Sequence, residues 1–210
     1  MAASIILLGD SIFDNAPYVI NQPCVTDQLR EITPDDVGVS LFAVDGDFVK
    51  NIKTQLERVP EQATHLFVSA GGNDALSYYQ ELLNDYRSSE SLFEKWSQIQ
   101  ADFRVEYRAM LERVRAFECH TAVCTIYDAV PDLEQIAITA LSFFNDVILA
   151  EAITAGLPVV DLRRVCTEHE DYSHLSPIEP SFKGGAKIAA VLNRLLREHD
   201  FSTRTTRIYC

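Results

Sequence analysis

The sequence predicts an α/β protein, a three-layer α/β/α sandwich around a five-stranded parallel sheet. Three observations carry that expectation. Short apolar runs recur five times along the chain. Stretches with helical periodicity separate them. Polar, glycine-bearing turns follow several of the runs. Strands that alternate with helices form parallel sheets covered on both faces, and such strands read as continuous apolar runs.

The five runs are Ser4–Leu8, Val39–Val44, His65–Ala70, Thr121–Ile126 and Leu157–Asp161. Phe48–Val59 and Leu76–Tyr86 read as helices after the second and third runs. Leu92, Trp96, Ile99, Phe103, Tyr107, Leu111 and Val114 recur at spacings of three and four, which marks one long amphipathic helix. Its aromatic stripe reads as core or as a lid over a site. Leu141–Ala155 is a further helix, with Gly156 and Pro158 as its stop signal. Ala186–Arg197 is the last, with Ile188, Val191, Leu192 and Leu195 along one face. The chain reads as one domain over residues 1–200, followed by a polar tail, 201–210. The strand order expected is flavodoxin-like.

At 210 residues the chain is long enough to bury a sizeable core. Its net charge of -13 argues against nucleic acid or an anionic membrane as partner. The opening Met1-Ala2-Ala3-Ser4 has no basic leader, and no run reaches the ~18 apolar residues of a membrane span. Cys24, Cys119, Cys124, Cys166 and Cys210 contain no C-x-x-C pair, so free thiols and a cytoplasmic setting are expected. No cofactor or metal is expected. The carboxylates Asp10, Asp45, Asp47, Asp74 and Glu179 form a minor alternative as divalent-cation ligands, although their spacing matches no metal loop.

The chemistry is expected in the turns, because α/β sheets place ligands at the carboxyl ends of their strands. Asp10-Ser11 follows the first run. Val44-Asp45-Gly46-Asp47 follows the second. Gly71-Gly72-Asn73-Asp74 follows the third. A late loop reads Pro177-Ile178-Glu179-Pro180-Ser181-Phe182-Lys183-Gly184-Gly185. Ser11 is the candidate nucleophile, against the plainer role of a turn or helix cap. Asp10 reads as a loop-fixing carboxylate that accepts backbone N–H bonds. Asp14 and Asn15 read as helix-start residues.

In order, Gly9-Asp10-Ser11, Gly46 and Gly71-Gly72-Asn73-Asp74 resemble the first three sequence blocks of the SGNH hydrolases, the GDSL esterase/lipase family. The resemblance runs from Ile5 to about Val191. It implies that Ser11 attacks an ester carbonyl, with a small-molecule ester as substrate. It also implies that the Ser11 N–H, the Gly46 N–H and the Asn73 side-chain amide hold the oxyanion. A glycine lets its N–H approach a reacting centre closely, and fixed donors at a developing charge are a large catalytic term.

The fifth block departs from the family pattern. Where the family has D-x-x-H-P, this chain has Ser176-Pro177-Ile178-Glu179-Pro180. The Pro-Ser-x-x-Gly that follows is intact, so Glu179 falls in the histidine slot and Ser176 in the aspartate slot. Three readings stand. Glu179 is itself the base, with a pKa raised by burial. Alternatively His174, five residues upstream, swings in. Otherwise the machinery is degraded, and the chain is a weak or inactive binding protein on the same fold. The first is favoured for the residue at the site.

Overall fold

The computed structural model describes residues 3–210. Met1 and Ala2, part of the opening stretch read as lacking a leader, lie outside the described residues. Six parallel strands form one sheet: β1 (Ser4–Gly9), β2 (Gly38–Leu41), β3 (His65–Ser69), β4 (His120–Cys124), β5 (Val159–Val160) and β6 (Ile208–Tyr209). Their order is β2-β1-β3-β4-β5-β6. The five expected strands thus stand in the expected order. The sixth comes from the C-terminal tail, whose Ile208 and Tyr209 pair with Val159 and Val160. Tyr209 is buried there, and this anchors a segment that composition alone marks as a loose tail.

Both faces of β1 are buried, and its alternating side chains enter two separate cores. Ile5 and Leu7 join Phe67, Ala122 and Val160 in a core under α1 (Val25–Ile32), α6 (Leu162–Val165) and α7 (Phe182–Glu198). Ile6 and Leu8 join Leu66, Val68 and Val159 in a core under α2 (Ile52–Leu56), α4 (Ser89–Arg115) and α5 (Gln135–Ala155). Helices on both faces complete the three layers. Each fully buried leucine of β1 carries a cost of about 2–5 kcal/mol on truncation to alanine.

The long amphipathic helix is α4, and it buries Trp96, Ile99, Phe103, Tyr107, Leu111 and Val114 as its spacing predicts. Other boundaries differ. The helix expected over Phe48–Val59 is a 3-10 turn, Val49–Asn51, followed by the short α2. That expected over Leu76–Tyr86 is split into α3 (Gly72–Ser77) and a 3-10 turn, Tyr79–Leu83. α5 begins at Gln135, six residues ahead of Leu141. It is long and apolar enough to cross a membrane by length and composition, which corrects the expectation that no such run exists. Here it packs against α4 as part of the second core. All five cysteines are free, with Cys24, Cys124 and Cys166 buried.

Candidate active site

The carboxyl ends of β1, β3 and β4 open into one cleft of about 910 Å³ of empty space, part of it open solvent. Asp10, Ser11, Ser69, Asn73, Thr125 and Glu179 line one part of it. Side chains of α3, α4, α5, the 3-10 turn after α3, the segment between β4 and α5, and Ile178 line the rest.

Ser11 sits in a single helical turn at the end of β1. Phe13 and Asp14 N–H both donate to the Asp10 carbonyl at 3.1 Å. The Asp10 carboxylate accepts from Ile12 N–H at 3.1 Å, which fixes the turn. Gly9 is required in front of it. Its φ is +137°, and a Cβ there would lie 1.8 Å from the Ser69 carbonyl oxygen of β3. Only glycine lets β1 pass β3 this closely while turning. Ser11 itself is buried, and its N–H makes no hydrogen bond among the described residues.

Asn73 enters the cleft from the first turn of α3. Its Nδ2 donates to the Asp47 carbonyl at 2.9 Å, leaving one amide N–H. That bond ties Asn73 to the loop that carries Gly46. Gly46 is exposed with φ +81° and does not line the cleft, but lies in the loop alongside it. Its N–H also lacks a partner among the described residues. The loop is braced on several sides. Asp14 Oδ2 accepts from Asp45 N–H at 3.0 Å. Tyr18 Oη donates to Asp45 Oδ2 at 2.8 Å. Gln55 Nε2 donates to Asp47 Oδ2 at 2.7 Å.

Gln55 is a positioning residue that no motif marks. It is buried, it accepts from Gly9 N–H at 2.8 Å, and it donates to the Gly9 carbonyl at 2.7 Å. One side chain thus holds both the strand end before Ser11 and the Gly46 loop. Asn15 is a second. Its Oδ1 accepts from Val25 N–H at 2.9 Å at the start of α1, and its Nδ2 donates to the Pro180 carbonyl at 3.1 Å. The expectation of a helix-start residue catches only half of this.

Glu179 is presented by a hairpin-like loop. Ser173 N–H donates to the Glu179 carbonyl at 2.8 Å, and Tyr172 bridges to Pro180. Asp171, wholly buried, anchors the base of that loop by accepting from Thr167 and Glu168 N–H and from Lys187 Nζ. Tyr127 Oη donates to the Ile178 carbonyl at 2.6 Å. Ser181 then caps α7 by accepting from Gly184 N–H at 3.2 Å. The Glu179 carboxyl is buried, and its Oε2 has no hydrogen-bond partner.

Burial raises the Glu179 pKa to about 7, interaction with the Ser11 hydroxyl draws it down, and the Asp45 charge adds to the rise. Burial raises Asp10 to about 8, against the pull of Ile12 N–H and with the charges of Glu179 and Asp74 adding. Burial likewise raises Asp74 to about 6, although it accepts from Val49 N–H at 3.0 Å.

Of the residues singled out in the sequence, Ser11, Asn73, Asp10 and Glu179 share the cleft. His174 does not line it and is exposed. Ser176, in the aspartate slot, makes no side-chain hydrogen bond among the described residues and does not line the cleft. No three carboxylates, histidines or cysteines among the described residues gather as metal ligands, so the cation alternative has no geometric support.

The fold has many solved counterparts. The chain is similar to the lipase Lip_vut3 from a goat rumen metagenome, with a TM-score of 0.72 at 20% identity, over 95% of this chain and 99% of that one. It is similar to an extracellular lipase from Streptomyces rimosus, with a TM-score of 0.68 at 17% identity, over 92% and 99% of the two chains. It is also similar to an acetyl xylan esterase from Geobacillus stearothermophilus, with a TM-score of 0.66 at 13% identity, over 94% and 96%. No curated protein matches it in sequence. The family model of the GDSL-like Lipase/Acylhydrolase family matches residues 7–184, which span the Ser11 turn, the Gly46 loop, Asn73 and Glu179. The chain belongs to that family.

Proposed function

We propose that the protein hydrolyses carboxylic esters through an acyl-enzyme on Ser11, with Glu179 in place of the usual histidine base. One observation carries the reading: a buried carboxyl with an unpartnered oxygen stands beside the only serine at the tip of β1, within one cleft. An exposed carboxylate is too weak a base for a hydroxyl, but one near pKa 7 is matched to the task at neutral pH.

The steps follow. Glu179 removes the Ser11 hydroxyl proton as Oγ attacks the ester carbonyl carbon. The oxyanion forms against the Ser11 N–H, the Gly46 N–H and the remaining Asn73 amide N–H. Collapse expels the alcohol, which takes the proton from Glu179, and leaves the acyl group on Ser11. Water then repeats the sequence, releasing the acid and restoring the hydroxyl. Asp10 fixes the nucleophile turn. Burial holds its pKa well above the usual carboxylate range, which lessens its repulsion of the Glu179 carboxylate.

The test is labelling by a serine-reactive fluorophosphonate together with turnover of p-nitrophenyl butyrate. Labelling at Ser11, abolished in Ser11→Ala, supports the enzyme. Silence in both assays at pH 8, where Glu179 is ionised, would favour a binding protein that keeps the cleft without the chemistry.

A further inference from the structure

The cleft beside Ser11 has two unlike halves, and the larger one has no part in the chemistry proposed above. Beyond the polar cluster its walls are Leu82, Trp96, Leu133, Ala137, Leu141 and Phe144. The first lies in the 3-10 turn after α3, Trp96 lies on α4, Leu133 precedes α5, and the last three lie on α5. Neither lysine nor arginine lines the cleft anywhere. Its only charged side chains are Asp10 and Glu179, both buried with raised pKa values. A phosphate or carboxylate on the substrate would therefore meet no cation, and Asp45 stands close enough to act on Glu179. A sugar ring would meet too few donors and acceptors in the apolar half to replace its lost water.

Leu76 and Ile178 line the cleft yet are 51% and 40% exposed, so the apolar surface continues to the mouth. Monomeric proteins seldom leave such a lining without an occupant, and apolar clefts with a few convergent polar groups are the usual form of ligand sites.

We infer that this half of the cleft is an acyl-chain site, and that it sets a preference for neutral esters of medium-length acyl groups over acetyl esters. The inference deepens the esterase reading and rests on it for the position of the ester carbonyl at Ser11. The wall itself argues for the occupant independently of the base. Each further methylene placed against it gains about fourfold in binding. Ala137 is the gatekeeping position: it is a small residue on α5, buried and facing the cleft, where added bulk would enter the chain's space.

Two experiments separate this inference from the catalytic reading. In the first, kcat/KM is measured across p-nitrophenyl acetate, butyrate, hexanoate and octanoate. The expected result is a rise of about 100-fold or more from acetate to octanoate. In Ala137→Phe the octanoate-to-acetate ratio falls at least tenfold, whatever the absolute rates. A flat or falling series overturns the inference while leaving the esterase intact. The second needs no catalysis. Trp96 is the chain's one tryptophan, so tryptophan emission excited at about 295 nm, where tyrosine barely absorbs, reports on the cleft. Octanol added to the Ser11→Ala protein should shift the emission saturably, and ethanol at equal concentration should not. Ala137→Phe in that background should weaken octanol binding at least tenfold. Equal responses to the two alcohols, or none to octanol, would overturn the acyl site even if every ester proved inert.

Discussion

The two edges of the sheet both bury titratable side chains, and they use them in opposite ways. At the amino edge, His65 and His120 face each other across the β3–β4 register, with ring centroids 4.9 Å apart. Phe201 from the C-terminal segment stacks on His120 at 4.8 Å and meets His65 and His199 edge-on at 5.3 and 4.7 Å. His65 Nδ1 lies 2.8 Å from Thr64 Oγ1, and His199 Nδ1 lies 3.2 Å from Tyr209 Oη. His65 is buried and His120 exposed, and the rings gather around the half-buried Phe201 and hold the tail that supplies β6. At the carboxyl edge, Ser11 N–H, Gly46 N–H and Glu179 Oε2 have no partner among the described residues. Neither burial nor an unpartnered atom alone marks a site, since His199 Nε2 at the amino edge lacks a partner as well. What marks a site is burial next to a nucleophile, with bonding capacity left free.

The sharpest way to break this contrast is to remove the nucleophile. Ser11→Ala should lower kcat/KM for p-nitrophenyl butyrate by about 10⁴-fold or more. Its melting temperature should stay close to wild type, because the lost atom fills no core space. Normal turnover by the purified variant would move the chemistry elsewhere.

Glu179→Gln comes next, with a loss of about 10²–10⁴-fold at pH 8. In the wild type kcat/KM should climb with pH through about 7, since the base must be ionised. His174→Ala should change little, as His174 is exposed and outside the cleft. If His174→Ala abolished turnover while Glu179→Gln did not, the base would be His174. Asn73→Ala should cost about 10²–10³-fold in kcat, the usual loss for one oxyanion donor. It also frees the Asp47 carbonyl. Asp47→Ala keeps that carbonyl and should cost far less, which separates loop support from oxyanion contact.

The carboxyl edge was largely legible in the sequence, and the amino edge was not. Apolar runs ending in Gly-Asp-Ser, Asp-Gly-Asp and Gly-Gly-Asn-Asp mark strand ends, because both periodicity and turn chemistry change there. The Pro-Ser-x-x-Gly spacing put Glu179 in its slot. Gln55 could not be found this way. It lies within an expected helix, and its role depends on Gly9, 46 residues away in sequence. α1 was missed because, although Val25, Leu29 and Ile32 stand at helical spacing, eight residues are shorter than the window over which periodicity is read. The first turns of α5 were missed for the opposite reason, since a helix apolar on most sides shows little contrast between faces. β6 has two residues, and only its pairing with β5 makes it a strand.

A smaller effect probes the amino edge alone. Phe201→Ala removes the ring that touches three histidines and loosens the hold on β6. Phe201 is only partly buried, so about 2 kcal/mol is at stake, or roughly 5 °C in melting temperature. Esterase kcat/KM at 25 °C should match wild type. A comparable loss of activity would show that the two edges are coupled, and the contrast between them would fail.

The smallest expected effect is a change of slope, and it reads both edges at once. Burial raises Asp10 and Asp74 from 3.8 to about 8 and about 6, and Glu179 from 4.5 to about 7. Between those limits the folded chain keeps protons that the unfolded chain has released. Stability from these groups is therefore full below about pH 4 and is lost as pH rises toward 8. His65 works in the other direction. Burial and the neighbouring His120 lower its pKa from 6.5 to about 4, so the unfolded chain takes the proton first as pH falls through that window. Three carboxyls outweigh one histidine, so the melting temperature should fall as pH rises from about 5 to 8, with His65 making the fall shallower between about pH 4 and 6.5. Glu179→Gln should flatten the fall between about pH 4.5 and 7, and His65→Gln should steepen it between about pH 4 and 6.5. A wild-type melting temperature that rose steadily from pH 5 to 8 would mean the three carboxyls are ionised and solvated in the folded chain. Glu179 would then be an ordinary weak acid, unsuited to deprotonate Ser11, and the activity profile would show no inflection near 7.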